Sequence, residues 1–164
     1  GKAGLEYFAE LNKAGNFVPV IAKAGTIAQG ATPIAIAWDY NALAWKDELA
    51  GNPPVEIVVP STGVLAGVYV QGISAYAPHP NAAKLWMEYL YSDEGQLGWL
   101  KGYCHPARFN AMAAAGKIPQ ELLDALPPAA SYEAAYFPTL EEVDANKAAV
   151  TGGWDATVGA NVAE

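Results

Sequence analysis

The stretch ATPIAIAWDYNALAW, Ala31–Trp45, places a strand-like pattern directly before a helix-like one. Residues Pro33–Trp38 form a short apolar run typical of a buried strand, and Asn41–Ala50 has the composition of a short helix. The junction is WDY, Trp38–Tyr40, where a simple turn more often uses Gly, Pro, Asn or Ser. Two aromatic rings flanking a carboxylate are typical of a ligand site, which combines apolar surface with a few polar groups.

Helix-like and strand-like segments also alternate through the rest of the chain. The pattern predicts helices over these ranges: 1–15, Ala24–Ala31, Pro78–Tyr91, Glu94–Gly102, Ile118–Pro128 and Pro138–Trp154. It predicts strands at Val55–Pro60 and Val64–Ala77, an edge strand or crossing at Phe17–Ile21, and a loop at Tyr103–Met112. This alternation indicates an α/β layer fold.

Two of the predicted helical regions carry more specific signals. Thr139 followed by Glu142 three residues later is a capping-box pattern, which predicts the start of the last helix. Trp86, Leu90 and Trp99 lie at helical spacing within Pro80–Gly102. We therefore expect these three side chains to lie in the core.

Composition restricts the possible functions. The 164 residues are 52% hydrophobic and carry a net charge of −8, with a pI near 4.6. An acidic surface is a poor match to phosphate backbones, so we expect no nucleic-acid partner. No run approaches the roughly 20 apolar residues of a membrane span. The first residues resemble a helix already under way and lack a signal pattern, so we expect a piece of a longer protein.

The sequence lacks the signatures of a common enzyme class. No G-x-G-x-x-G, P-loop or G-x-S-x-G is present, and no three metal ligands have a characteristic spacing, so no catalytic residue, metal or cofactor is expected. Cys104 is the single cysteine and precedes His105, but adjacent side chains in an extended segment point apart. A small α/β enzyme with a Cys104/His105 thiol site remains the alternative, and a purely structural interaction module is a third possibility.

Aromatic and polar residues also cluster at the ends of several predicted elements. Besides Trp38-Asp39-Tyr40, the clusters are Tyr69 with Gln71, Tyr103–Arg108, and Trp154-Asp155. Their positions at strand ends and junctions suggest a cleft for a small polar ligand.

The stretch PVEIVVPSTGVLAGVYVQGISAYAPHPNAAKLWMEYLYSDEGQLGWLKGY, Pro54–Tyr103, resembles the carboxyl-terminal half of bacterial extracellular solute-binding proteins. The resemblance is to ABC-transporter receptors of the spermidine/putrescine-binding type. It extends to the predicted strand ending in Trp38, and to YFPTLEEV and GGWDATVG within Tyr136–Gly159. The order and spacing of these segments carry the resemblance.

The resemblance implies an α/β, periplasmic-binding-protein-like (type II) fold, a mixed sheet flanked by helices, whose N-terminal lobe is missing. Residues 1–58 would belong to the second lobe, and 59–105 would be a crossing segment with helices associated with the first lobe. Residues 106–164 would return to the second lobe and form the C-terminal helices. Ligand would bind in the cleft between lobes, which closes by a hinge motion.

The resemblance also implies a non-enzymatic periplasmic receptor. Its partners would be a small-molecule solute, an inner-membrane ABC permease and the missing N-terminal half of the same receptor. Ala66 and Val68 stand where polyamine receptors carry a Trp and an acid, and the adjacent tyrosines of ferric receptors are absent.

The implied site combines these family positions with the clusters at element ends. Asp39 and Asp155 each follow a tryptophan, so we expect a cationic, amine-bearing solute. The predicted ligand-binding residues are Trp38, Asp39, Tyr40, Tyr69, Gln71, Trp154 and Asp155.

Overall fold

The computed structural model describes residues 1–163 and shows a helix-rich, mixed α/β chain. The helices are α1 (Lys2–Lys13), α2 (Ala24–Ala28), α3 (Asp39–Leu49), α4 (Pro80–Leu90), α5 (Asp93–Lys101), α6 (Phe109–Ala114), α7 (Gln120–Asp124) and α8 (Leu140–Thr157), with a 3-10 turn at Ala129–Tyr132. Strands β1 (Val64–Leu65) and β2 (Ala135–Tyr136) pair in parallel, Val64 opposite Ala135. None of the helices in this range has both the length and the apolar composition that a membrane crossing requires.

Local capping explains where two of the helices begin. The Thr139 hydroxyl accepts a bond from the Glu142 N–H at 3.2 Å, and the Glu142 carboxylate accepts one from the Thr139 N–H at 2.8 Å. The predicted capping box of α8 is therefore confirmed. At α5, the Ser92 hydroxyl accepts a bond from the Gly95 N–H at 3.1 Å. Each cap satisfies an N–H that a helix start leaves without a partner.

Most of the predicted strand structure does not form, and these predictions were wrong. Pro33–Trp38 and Val55–Pro60 have no strand hydrogen bonding, and of Val64–Ala77 only β1 is paired. The side chains of Ile34 and Ile36 are 90% and 84% exposed. A strand needs a neighbour for its N–H and C=O groups, and within residues 1–163 these segments have none. The segment Phe17–Ile21 makes one isolated bridge, Val20 to Ala163.

The described residues include two separate clusters of buried apolar side chains. In the first, α1 packs on α8, and Leu5 is buried with Val158 and Ala160, which follow α8; Phe8, Phe17 and Trp154 pack against them. The second joins α5, α6 and α7 and is formed by Leu100, Met112 and Ile118, with Leu97, Phe109, Leu122, Leu123 and Leu126 against them. The predicted loop Tyr103–Met112 was wrong at its end, because α6 begins at Phe109.

The expected core on α4 and α5 is confirmed only for Leu90, which is buried. Trp86 is 58% exposed and Trp99 is 43% exposed, so their assignment to the core was wrong. The two helices approach so closely at Gly95 that an added Cβ would overlap the Tyr89 carbonyl oxygen. This close approach buries Leu90 and leaves Trp86 on the outer face, where its ring stacks on Tyr89 with centroids 5.5 Å apart.

Candidate functional site

Asp39 is fixed in place by two hydrogen bonds from different parts of the chain. It is the first residue of α3, and its Oδ1 accepts a bond from the Tyr40 N–H at 2.8 Å. Its Oδ2 accepts a bond from the Tyr132 hydroxyl at 2.8 Å. The negative charge is also favourable at a helix N-terminus. Asp39 therefore has a defined orientation, partly buried at the surface.

Aromatic residues surround this helix start. The hydroxyl oxygens of Tyr40 and Tyr69 lie 3.0 Å apart, which joins α3 to the segment that follows β1. The same segment lies close to the far end of the Trp38 ring, because a Cβ added at Gly67 would lie 2.8 Å from Trp38 Cη2. Glycine at position 67 leaves room for the Trp38 ring in its present position. Three of the predicted site residues are brought together here with Asp39.

The loop before α6 places His105 beside the same residues. The His105 ring packs edge-to-face on Tyr132, with centroids 5.2 Å apart, and on Phe109, with centroids 4.8 Å apart. Burial lowers the pKa of His105, and the charge of Asp39 partly opposes this. Burial and the bond to Asp39 both raise the pKa of Tyr132. We call this set the Asp39 group; it consists of Trp38, Asp39, Tyr40, Tyr69, His105 and Tyr132.

The alternative thiol site finds no support in this geometry. Burial raises the pKa of Cys104, and the nearby charge of Asp39 raises it further. A reactive cysteine requires the opposite shift, because the thiolate is the nucleophile. Within the described chain no hydrogen bond joins Cys104 to His105, and the His105 ring faces Tyr132 and Phe109 instead.

A buried amide holds the loop that carries His105. Gln96 on α5 donates from Nε2 to the Leu90 carbonyl at 2.7 Å and accepts at Oε1 from the Arg108 N–H at 2.9 Å. The Arg108 guanidinium pairs with Asp93, with Nη1 and Oδ1 2.9 Å apart. These contacts fix the loop at its Arg108 end, where it enters α6.

Sequence reasoning missed Gln96 and Tyr132. Gln96 is a single polar residue in a predicted helix, and Tyr132 lies 93 residues from Asp39 in a segment without periodicity. Neither carries a pattern that could have identified it. Gln71 was predicted for the site, but it is exposed and its side chain makes no hydrogen bond within residues 1–163.

Trp154 and Asp155 lie in a different environment. The Trp154 ring packs on Phe8 and Phe17 with centroids 6.0 and 6.1 Å away, and its Nε1 donates to the Ala160 carbonyl at 2.7 Å. Asp155 is exposed on α8. No hydrogen bond or ring contact among the described residues links this pair to the Asp39 group. Their part in ligand binding stays a prediction.

The charge of Asp39 has no protein counter-ion in the part of the chain that is described. Both ion pairs there belong to Asp93, whose partners are Arg108 and Lys117. Nor do any three His, Cys, Asp or Glu side chains of residues 1–163 lie close enough together to hold a metal ion. Asp39 is thus a fixed carboxylate whose charge remains available to an external cation.

A match to a protein-family model shows the class to which this chain belongs. The family model described as "Bacterial extracellular solute-binding protein" matches residues 2–134, about four fifths of the chain. The chain therefore belongs to the bacterial extracellular solute-binding proteins. Proteins of this class are the solute-binding components of transport systems and act outside the cytoplasm. No curated protein matches the chain.

The family match covers the whole Asp39 group and ends before α8. Trp38 and Tyr132, the first and last members of the group, both lie within residues 2–134. Trp154 and Asp155 lie beyond it. The assignment to the family therefore rests on the region that contains Asp39.

Proposed function

We propose that this chain is the substrate-binding part of an ABC import system, and that it captures a small, amine-bearing cation at the Asp39 group. In this proposal it works in the periplasm and presents its solute to an inner-membrane permease. The observation that carries the proposal is Asp39 itself, a carboxylate held by Tyr40 and Tyr132 and without a cationic partner in residues 1–163.

Asp39 can still bind a cation while making its present contacts. An ionised carboxylate offers about four lone-pair sites, and two are used by Tyr40 and Tyr132. A charge-assisted bond from an ammonium group is worth about 1.5–3 kcal/mol. Stacking over an aromatic face, for which Trp38 is the predicted residue, adds about 0.5–2 kcal/mol. Together these terms favour a cation over an uncharged solute of the same shape.

The exposed apolar segments support a second lobe as part of the receptor. Five large apolar side chains in these segments are exposed to solvent: Ile34, Ile36, Val68, Val70 and Tyr76. Large apolar side chains exposed in this number are typical of a surface that another part of a protein covers. We assign it to the N-terminal half of the same receptor, with residues 1–58 and 106–164 in one lobe and 59–105 associated with the other. Closure of the two lobes would bury the solute.

Calorimetry on the full-length receptor tests this function. A panel of primary amines, uncharged amides and carboxylates is titrated into the wild type, Asp39→Asn and the control Asp144→Asn, which changes an exposed carboxylate on α8. We expect amines alone to bind, and Asp39→Asn to weaken them about 10- to 100-fold through loss of the charged hydrogen bond. Unchanged affinity in Asp39→Asn, or preference for a carboxylate, contradicts the proposal.

A further inference from the structure

A groove of about 430 Å³ lies beside the Asp39 group, between α6, α7 and the segment that follows α7. Its apolar wall is formed by Phe109, Leu123 and Leu126 with Pro127, Pro128 and Ala129. We call it the α6–α7 groove. Its volume falls in the range of small-molecule sites, which are mostly apolar with a few polar groups.

The groove and the Asp39 group share a wall. His105 lines the groove, and its ring packs on Tyr132, whose hydroxyl binds Asp39. The opposite end of the 3-10 turn that carries Tyr132 is also part of the lining, at Ala129. The Asp39 group and the α6–α7 groove are therefore neighbours, joined through the rings of His105 and Tyr132.

The described lining of the groove offers no positively charged side chain to an anion and gives little to a second cation. Neither lysine nor arginine is among the described residues that line it, and its one acidic residue is Asp124. The Asp124 carboxylate already accepts a bond from Gln120 Nε2 at 2.8 Å and is exposed to water. An exposed ion pair is worth only about 0–1 kcal/mol. The main contribution of the groove is its apolar surface.

We propose that the solute is an organic cation with a single charge and an apolar body, with its ammonium group at Asp39 and its hydrocarbon part in the α6–α7 groove. This inference rests on the proposed function and adds the class of solute. A diamine would fit this site less well, because its second charge would have to lie in the apolar part of the groove or at the hydrated Asp124.

A series of matched probes on the full-length receptor tests this. Calorimetry compares ethylamine, butylamine and hexylamine with hexanol and 1,6-diaminohexane. Each buried methylene contributes enough hydrophobic free energy to tighten binding about fourfold, so hexylamine should bind about 15-fold more tightly than butylamine. Hexanol and the diamine should both bind more weakly than hexylamine.

A pair of surface variants locates the effect. Ala129→Gln places a polar side chain in the groove and, because Ala129 is exposed, leaves the fold intact. It should reduce the gain from butylamine to hexylamine from about 15-fold to less than fourfold. Ala130→Gln changes the adjacent exposed alanine, which does not line the groove, and should keep the full gain. Thermal melts of both variants verify their folding.

The outcomes separate this inference from the function beneath it. The inference is overturned if amine binding depends on Asp39 but not on chain length, or if the diamine binds more tightly than hexylamine. Either result leaves the proposed function standing. Hexanol binding as tightly as hexylamine overturns the cation site itself. No measurable binding by any amine overturns both. An equal loss of the chain-length gain in Ala129→Gln and Ala130→Gln also overturns the groove assignment.

Discussion

The dipeptide Trp-Asp occurs twice in this chain, and the two copies lie in different surroundings. Trp38 is the residue before α3 and Asp39 is its first residue, so the carboxylate meets the free N–H of the first turn. Trp154 and Asp155 lie inside α8, where backbone N–H groups are already bonded within the helix. The same two residues therefore offer different chemistry at the start and in the body of a helix.

Helix geometry explains the rest of the difference. Successive side chains on a helix are about 100° apart, since one turn takes 3.6 residues. When the Trp154 ring packs toward α1 against Phe8 and Phe17, Asp155 is turned away from α1 and is exposed. Asp39 instead gains Tyr132 as a partner from a distant part of the chain. The first pair is therefore the one that we propose for solute binding, whereas the tryptophan of the second pair packs against α1.

The largest difference should appear in stability. Replacing a buried tryptophan by alanine costs about 3–5 kcal/mol, and for the partly buried Trp154 we expect about 3 kcal/mol in the free energy of unfolding. Trp38 is 42% exposed, and Trp38→Ala should cost about 1 kcal/mol or less. Urea denaturation measures both. A larger loss in Trp38→Ala than in Trp154→Ala would reverse the comparison.

The stability and the solute affinity of the Asp39 group should both depend on the buried amide of Gln96. Gln96→Ala leaves the Leu90 carbonyl and the Arg108 N–H without their partner, which should lower the free energy of unfolding by about 2 kcal/mol. Because Gln96 holds the loop of His105, solute affinity at temperatures where the variant stays folded should fall as well. The control Gln29→Ala removes an exposed amide and should change stability by about 0.5 kcal/mol or less. Equal losses in the two variants would contradict the claim that Gln96 stabilises the loop of His105.

A smaller effect is expected from the hydroxyl that orients Asp39. Tyr132→Phe keeps the ring on His105 and removes the bond to Oδ2, so stability should fall by about 1 kcal/mol and amine affinity by a few-fold. Tyr69→Phe, which removes the hydroxyl paired with Tyr40, serves as the matched control and should affect amine affinity less. If the two variants weaken amine binding equally, Tyr132 has no special part in orienting the carboxylate.

The smallest expected effect is on the pH dependence of stability, and it arises from Glu142 in the first turn of α8. Hydrogen bonds that the Glu142 carboxylate accepts, first from the Tyr136 hydroxyl and then from the Thr139 N–H, hold the pKa of Glu142 below its ordinary value. A lowered pKa in the folded state stabilises the protein above the unfolded value of about 4.3, and this is lost as pH falls through the folded pKa.

Thermal melts from pH 7 to pH 3 measure this contribution. Glu142→Gln should be less stable at pH 7 and lose less stability on acidification than the wild type. The control Glu141→Gln, at the neighbouring exposed carboxylate, should keep the acid sensitivity of the wild type. A Glu142→Gln variant as acid-sensitive as the wild type would contradict the assignment.

Local signals in the sequence predicted local structure well. The cap formed by Thr139 and Glu142 depends on residues three apart, and it is present as predicted. The helix after Trp38 was also predicted, although it begins at Asp39 rather than at Asn41. Such features depend on neighbours in the chain, so a single sequence contains the information for them.

Features that depend on distant partners could not be predicted in the same way. The apolar run at Ile34 and Ile36 has the composition of a strand, but pairing requires a neighbour that residues 1–163 do not supply. Trp86 lies at helical spacing with Leu90, and spacing alone does not say which face a second helix covers. Tyr132 reaches Asp39 only through the tertiary fold.

The most direct test of the central claim is a crystal structure of the full-length receptor with its tightest-binding amine. We expect the amine nitrogen within about 3 Å of an Asp39 carboxylate oxygen, the normal distance for a charge-assisted hydrogen bond. We also expect the tyrosine at position 132 to keep its bond to the same carboxylate. An amine nitrogen bound at Asp155, or elsewhere with Asp39 left free of solute, would contradict the account.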